Sequence, residues 1–412
     1  MSWLPNTIIK INGVAKTSYT IEGVSLSMGR TDITQQSPGG FASIQMLDYP
    51  STDVTLNDII EVQIENYSGT PITIFTGYVT DFTTQVLESG KDKVTFITDI
   101  VATSALSKLG IKEINKSGYP EQKDGDRILA ILDEAYATSW DELPATKIWT
   151  DYTTETWADL RGYDNTYIDT PGTYDLYAEP ALPTNGYLYA SVVADSGVGQ
   201  LFETTDGLIG YADQDHRADY LTANGFLNIP STKVLSDGIS VQTSRNNLTN
   251  DVIVSYDPDS LTVEVSDPTS IDTYGKVTTN IETYLKNEAD ALTVGQRAVL
   301  LNAYPAPILQ NIGVQIDAPT MTESLLNGLV GVFFGQPISI DDIPSLLYPT
   351  GFFGYVEGWS WNINRFNARL DLNVSDFRFY AVPVAWQDVY AGETWDTIEP
   401  TLDWANALLG VN

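Results

Sequence analysis

Gly77-Tyr78-Val79, then Phe82, then Ile97-Thr98-Asp99: this succession recurs near the other end of the chain as Gly354-Tyr355-Val356, Trp359 and Val374-Ser375-Asp376. In both copies 22 residues separate the first Gly from the last Asp. Coincidence is the plain alternative. The sharper reading is two related β-domains, each closed by the same kind of long hairpin. Glycine suits the strand entry and the aromatic suits the core face.

The residues around the first copy read as strands. Ile8 to Val14, Tyr19 to Ser27, Phe41 to Leu47 and Val54 to Glu65 are short β-branched or alternating runs, and Ile60, Val62 and Ile64 share one face. Turn clusters such as Ser37-Pro38-Gly39-Gly40 and Ser68-Gly69-Thr70-Pro71 separate them. Ile72 to Thr84 and Lys93 to Ile100 follow, so residues 1–108 are expected to form a barrel or sandwich.

The period then changes. Apolar residues at 128, 131, 132, 135 and 136 predict a helix from Asp126 to Tyr136, capped by Asp124 or Asp126. A second helix is expected at Gly186 to Asp195, and a hairpin pairs Gln200–Glu203 with Leu208–Tyr211. Residues 109–235 therefore read as an α+β unit with an aperiodic insertion, 137–185. Strands return at Gly238 to Ser244, Asp251 to Tyr256, Leu261 to Val265, Ile312 to Ile316, Gly354 to Trp361 and Ala368 to Val374, with a helix at Val294 to Tyr304. These place a second β-barrel-like domain over 236–376, followed by a C-terminal arm, 377–412. The expected fold is mainly β with a small α+β part.

Charge excludes several functions. The 412 residues carry 21 Lys and Arg against 54 Asp and Glu, a formal charge of −33. Binding to nucleic acid phosphates or to an anionic membrane needs clustered cations instead. Hydrophobic residues reach 42%, enough for sizeable cores and too many for disorder. There is no cysteine, which removes disulfides, thiolate nucleophiles and Cys-ligated metals. The N-terminus shows no signal peptide, and the longest apolar passage, Leu325 to Gly335, is about half the ~20 residues of a membrane helix. A soluble protein that is not self-exporting is expected, with no cofactor.

Catalytic signatures are missing. No nucleophile elbow, phosphate loop, dinucleotide fingerprint, zinc-protease or EF-hand pattern occurs. Gly197-Val198-Gly199 reads as a turn. The lone histidine, His216, has Asp213 and Asp215 nearby to orient an imidazole, but a hydrogen-bonded loop histidine is the commoner case. Asp257-Pro258-Asp259, Asp341-Asp342 and Glu88 near Asp92 sit in turns, which Asp favours. A glycosidase needs two carboxylates roughly 5–9.5 Å apart across a cleft, which spacing alone does not supply. Trp386, Trp395 and Trp404 recur every nine residues, a period matching neither one helix face nor one strand face. They are candidate partner-contact or sugar-stacking residues, with a tail folded on its own domain as the alternative. A short helix is expected at Thr401 to Leu409.

Gly29-Arg30-Thr31-Asp32-Ile33-Thr34, Phe41 to Leu47, Leu56-Asn57-Asp58-Ile59-Ile60-Glu61-Val62 and Ile74 to Asp81 follow in an order that resembles the opening barrel of tail-hub (baseplate hub-like) proteins of long-tailed bacteriophages, often labelled minor tail proteins. Val193 to Gly197, Leu201-Phe202, Asp206-Gly207, Tyr211 and Arg217 are similar to the family's helix-then-hairpin unit, and Arg245-Asn246 to Val254 to the opening of its second barrel. The resemblance spans about residues 20 to 376 with loose motifs, and residues 137–185 and the arm have no counterpart. It implies a homotrimeric ring with two barrels per copy, whose six barrels fit the sixfold tube above. The implied partners are the distal tail ring protein, the tape-measure protein and tip or fibre proteins, with DNA passing through the lumen without specific binding. It implies a place at the virion tail tip; some such hubs carry a cell-wall-degrading domain, but no enzyme activity is carried over to this chain. The rivals are a distal tail ring protein, a carbohydrate- or receptor-binding module, and a glycan-cleaving enzyme.

Overall fold

The computed structural model describes residues 6–377 except 32, 34, 90–93, 137–161, 243–247, 306–307, 344–350 and 366. Alternating strands build most of it: β1 (Thr7–Ile11), β2 (Thr20–Gly29), β3 (Phe41–Leu47), β4 (Ile59–Glu65), β5 (Pro71–Ser89) and β6 (Val94–Thr103). On β4 the alternation works as read, and Ile60, Val62 and Ile64 are fully buried. The strands read as Ile72 to Thr84 and Lys93 to Ile100 run on to Ser89 and Thr103, and two other boundaries move because of turns. Asn12 and Gly13 both take positive φ (50° and 75°) and close a two-residue hairpin, which cuts the strand read from Ile8 to Val14. The strand read from Val54 begins only at Ile59, because the Asp58 carboxylate accepts from Thr55 N at 2.7 Å and Asn57 is left-handed, closing a turn.

The middle comprises α1 (Asp124–Ala135), β7 (Tyr163–Ile168), α2 (Gly186–Ser196), β8 (Gln200–Glu203), β9 (Ile209–Ala212) and α3 (His216–Asn224). Both helices and the hairpin lie where the sequence reading placed them, to within two residues. The cap of α1 does not: Lys123 holds the N-cap position, and Asp124 is a buried first-turn residue engaged elsewhere.

Then follow β10 (Val234–Gln242), β11 (Asp251–Tyr256), β12 (Leu261–Ser266), β13 (Thr278–Glu282), α4 (Glu288–Asn302), β14 (Ile308–Gln315), α5 (Glu323–Val330), β15 (Pro337–Ile340), β16 (Phe352–Asn364) and β17 (Asn367–Asp376). Helix α4 begins before the expected Val294 because the Asn287 side chain caps it, accepting from Asp290 N at 2.9 Å. Strands β11 to β13 form a separate sheet. Val252, Val254, Val294 and Val299 of this segment share one apolar cluster with Ile128, Leu132, Val193 and Ile209 of the middle unit, so its core is common to both sides of residue 236.

The repeat read in the sequence is carried by backbone geometry. Ile60 pairs with Gly77, and Ile338 pairs with Gly354. Asn57 N donates to Val79 O and Gly335 N to Val356 O, both at 2.8 Å, from residues that both have positive φ. A Cβ on Gly77 would lie 2.6 Å from Phe75 Cζ, and one on Gly354 2.6 Å from Phe352 Cζ. Only glycine admits that ring. Both strands are then bulged, at Thr80 and at Glu357, after which Phe82 faces Ile100 and Trp359 faces Leu372. The closing triplets do not correspond, however. Asp99 lies opposite Thr83, whereas Asp376 lies opposite Gly354; the counterpart of Asp99 is Asp371, opposite Ser360. The second hairpin is shorter, so the matched sequence spacing falls out of register.

The thirteen-stranded sheet runs β10-β14-β17-β16-β2-β3-β6-β5-β4-β1 with short additions, and β15 pairs with β16. Thus β2-β3-β6-β5-β4 is repeated as β10-β14-β17-β16-β15. The segment β11 to α4 is an insertion between β10 and β14. The two strand sets are joined twice, covalently through the α+β unit and edge to edge by β2 with β16. One apolar cluster runs through both. The fold is mainly β, with several sheets and a few helices, as the alternation predicted.

Candidate functional site

The seam between the two strand sets brings the two backbones close together. Strands β2 and β16 pair antiparallel from Gly29↔Gly358 to Gly23↔Asn364. Trp359, Trp361 and Ile363 of one, and Met28, Leu26 and Val24 of the other, are all buried. Backbones approach closely at the top of the seam. A Cβ on Gly358 would lie 2.7 Å from Arg30 O and Met28 O, and one on Gly29, at φ +75°, would lie 2.4 Å from Glu357 O.

Beside these glycines the bulge turns Glu357 inward. Its carboxylate accepts from Arg30 Nε at 2.8 Å, Arg217 Nη2 at 2.9 Å and Ser375 Oγ at 2.6 Å, and Arg30 Nη2 stands 2.7 Å away. All four residues are buried. Burial alone would push the carboxyl up; the guanidinium charges of Arg217 and Arg30, with the Ser375 hydrogen bond, outweigh it and hold Glu357 at about 2. Arg30 comes from the end of β2, Glu357 from β16 and Arg217 from α3, so one buried charge cluster ties both strand sets to the middle unit. Arg217 also lies over the Phe334 ring, 4.6 Å from its centre, and Phe334 stacks on Phe202 of β8.

A second buried acid docks the middle unit on the first strand set. Glu203 accepts from Gly40 N, Ser104 Oγ and Leu106 N. Burial raises its carboxyl against those three bonds. Within the middle unit Asp124 accepts from Tyr174 N at 2.8 Å and from the Tyr211 hydroxyl. Burial outweighs these bonds and raises its carboxyl to about 6.

Trp386, Trp395, Trp404, the arm 377–412 apart from residue 377, and the helix read at Thr401 to Leu409 lie outside the described residues, as does Asp92. His216 is the first residue of α3, and its Nδ1 meets Asp169 Oδ2 at 2.8 Å. The expected orienting acids do other work: Asp213 Oδ1 accepts from the backbone N–H groups of Asp215 and His216. The imidazole lies in a cleft lined by Asp169, Thr170, Pro171, Asp213, Asp219 and Tyr220. Asp257 and Asp342 occupy left-handed turn positions, as their sequence context suggests. Among the described residues no group of three acidic or histidine side chains is placed to hold a metal ion, and no helix is long and apolar enough to cross a membrane.

Sequence reasoning missed Glu357. Its signal was present: it is the one charged residue between Phe352 and Trp361. The two arginines that meet it, Arg30 and Arg217, belong to the stretches carrying the family resemblance.

No protein-family profile and no curated protein matches the sequence. Solved structures do. The tail protein from Neisseria meningitidis MC58 superposes with a TM-score of 0.61 at 10% identity, covering 92% of this chain and 98% of that one. The 43 kDa tail protein of prophage MuSo2 from Shewanella oneidensis gives 0.52 at 10% identity, covering 91% and 99%. The chain shares the fold of these tail proteins over nearly its whole length.

Proposed function

We propose that this chain is a structural tail-hub protein of a siphophage-like particle, without enzymatic activity, that forms a trimeric ring at the tail tip. The observation that carries the proposal is the duplicated five-strand unit inside one continuous sheet. Three copies supply six equivalent units, which suits a sixfold tube; a sixfold distal ring needs only one unit per copy. Likeness of fold to two tail proteins supports a place in the tail. On this reading residues 1–108 and 236–376 are the paired β-domains and 109–235 the unit between them. The arm 377–412, with Trp386, Trp395 and Trp404, contacts tip or fibre proteins. The distal tail ring protein and the tape-measure protein are the other neighbours.

The charge of −33 per copy, about −99 for three, suits a duct that lets DNA slide without holding it. The ring closes the tube, anchors the tip and opens for passage of the genome into the host. Native mass measurement tests the proposal. A species of three times 45.2 kDa is expected. A hexamer, or a monomer that degrades cell-wall polymers, overturns it.

A further inference from the structure

The internal repeat leaves two counterpart strand edges that do not meet within one copy. The seam pairs β16 of the second unit with β2 of the first. The counterpart of β16 is β5, and that of β2 is β10. Among the described residues, β10 pairs with β14 alone, and β5 pairs with β4 only as far as Tyr78, leaving the far half of that edge uncovered. Residues 83–88 there are exposed. Val86 is 61% exposed, whereas its counterpart in the seam, Ile363, is 3% exposed. Leu87 beside it is also exposed. An open strand edge with apolar side chains is a pairing surface. On β10, Ile239 and Val241 are only half-buried, whereas their counterparts Val24 and Leu26 are fully buried beneath the seam.

We infer that β10 of one copy pairs antiparallel with residues 83–87 of β5 in a second copy, reproducing the internal seam between molecules. This rests on the trimeric-hub reading and names the surface that would build it. Carrying over the seam register, in which Ile363 faces Val24 and Trp361 faces Leu26, sets Val86 opposite Ile239 and Thr84 opposite Val241. The contact is head to tail, since each copy offers β10 on one side and β5 on the other. Such contacts close into a ring or run on as a filament. Within one molecule six strands lie between the two edges, and β10 and β5 do not pair with each other.

The absence of cysteine makes the register directly testable. In Thr84→Cys/Val241→Cys, oxidation is expected to give covalent dimers and trimers with nothing larger. Thr84→Cys/Val234→Cys, out of register, stays monomeric on the same gel. Val86→Lys, at an exposed position, abolishes the trimer in native mass spectra and leaves the circular-dichroism spectrum of the folded chain unchanged. A native trimer that neither cross-links in register nor responds to Val86→Lys overturns the inference and leaves the hub reading standing. In-register ladders extending beyond three copies keep the edge pairing and overturn the trimer. A folded monomer that never cross-links overturns both.

Discussion

Glu357→Gln isolates the charge cluster at the seam. The substitution keeps the side chain's shape and one acceptor oxygen but removes the carboxylate that meets Arg30 and Arg217 at 2.7–2.9 Å. The carboxyl lies near 2 in the folded protein against an ordinary 4.5. At 1.36 kcal/mol per unit, that difference corresponds to about 3 kcal/mol of stability at neutral pH. Removing one partner of a buried pair independently costs about 3–5 kcal/mol, because a desolvated charge is left behind. The sign follows from the lowered value: the contribution is complete above about pH 4.5 and disappears as pH falls through about 2. Urea unfolding followed by tryptophan fluorescence should place the variant about 3 kcal/mol below the parent at pH 7, with the gap narrowing between pH 4.5 and 2. Equal stability at pH 7, or a gap that persists undiminished at pH 2, would show that the cluster does not carry this energy.

Gly358→Ala forces a Cβ to within 2.7 Å of two backbone oxygens across the seam, and should cost roughly 3 kcal/mol by thermal denaturation, near the upper end for overpacking. Asp124 behaves oppositely to Glu357: with its carboxyl raised to about 6, its favourable contribution is full below about pH 4 and is lost as pH rises through 6. Asp124→Asn should therefore flatten the stability profile between pH 4 and 6 by about 3 kcal/mol, read from unfolding midpoints across that range. Glu203→Ala leaves the N–H groups of Gly40 and Leu106 without their carboxylate, and should speed limited proteolysis at the junction of the middle unit with the first strand set. Titrating cell-wall sugars should leave tryptophan fluorescence unchanged; saturable quenching would favour a carbohydrate-binding module.

Local pattern was legible wherever one physical preference dominated. Strict alternation exposed β3 and β4, and helical spacing exposed α1. The Gly-Tyr-Val repeat marked two equivalent strand entries, because in each a phenylalanine ring occupies the space of a Cβ. Composition alone removed thiol chemistry, since the chain lacks cysteine, and its charge argued against binding nucleic-acid phosphates. The sequence was misleading where spacing stood in for register. The closing Asp99 and Asp376 match in the chain but not across the hairpins, because pairing is set by hairpin length and bulges rather than by distance along the backbone.

Only tertiary structure decided which strand edges meet. Arg30, Arg217 and Glu357 are separated by 140 residues or more along the chain. They converge because a bulge turns one acid inward and two glycines let the strands approach. Asp124, read as a helix cap, instead accepts from Tyr174 and Tyr211, groups that arrive only when the middle unit folds. Sequence by itself determined the element types and the duplication, which follow from local periodicity. The seam, its charge cluster and the two open edges depend on contacts between residues far apart in the chain, and those arise only when the sheet assembles.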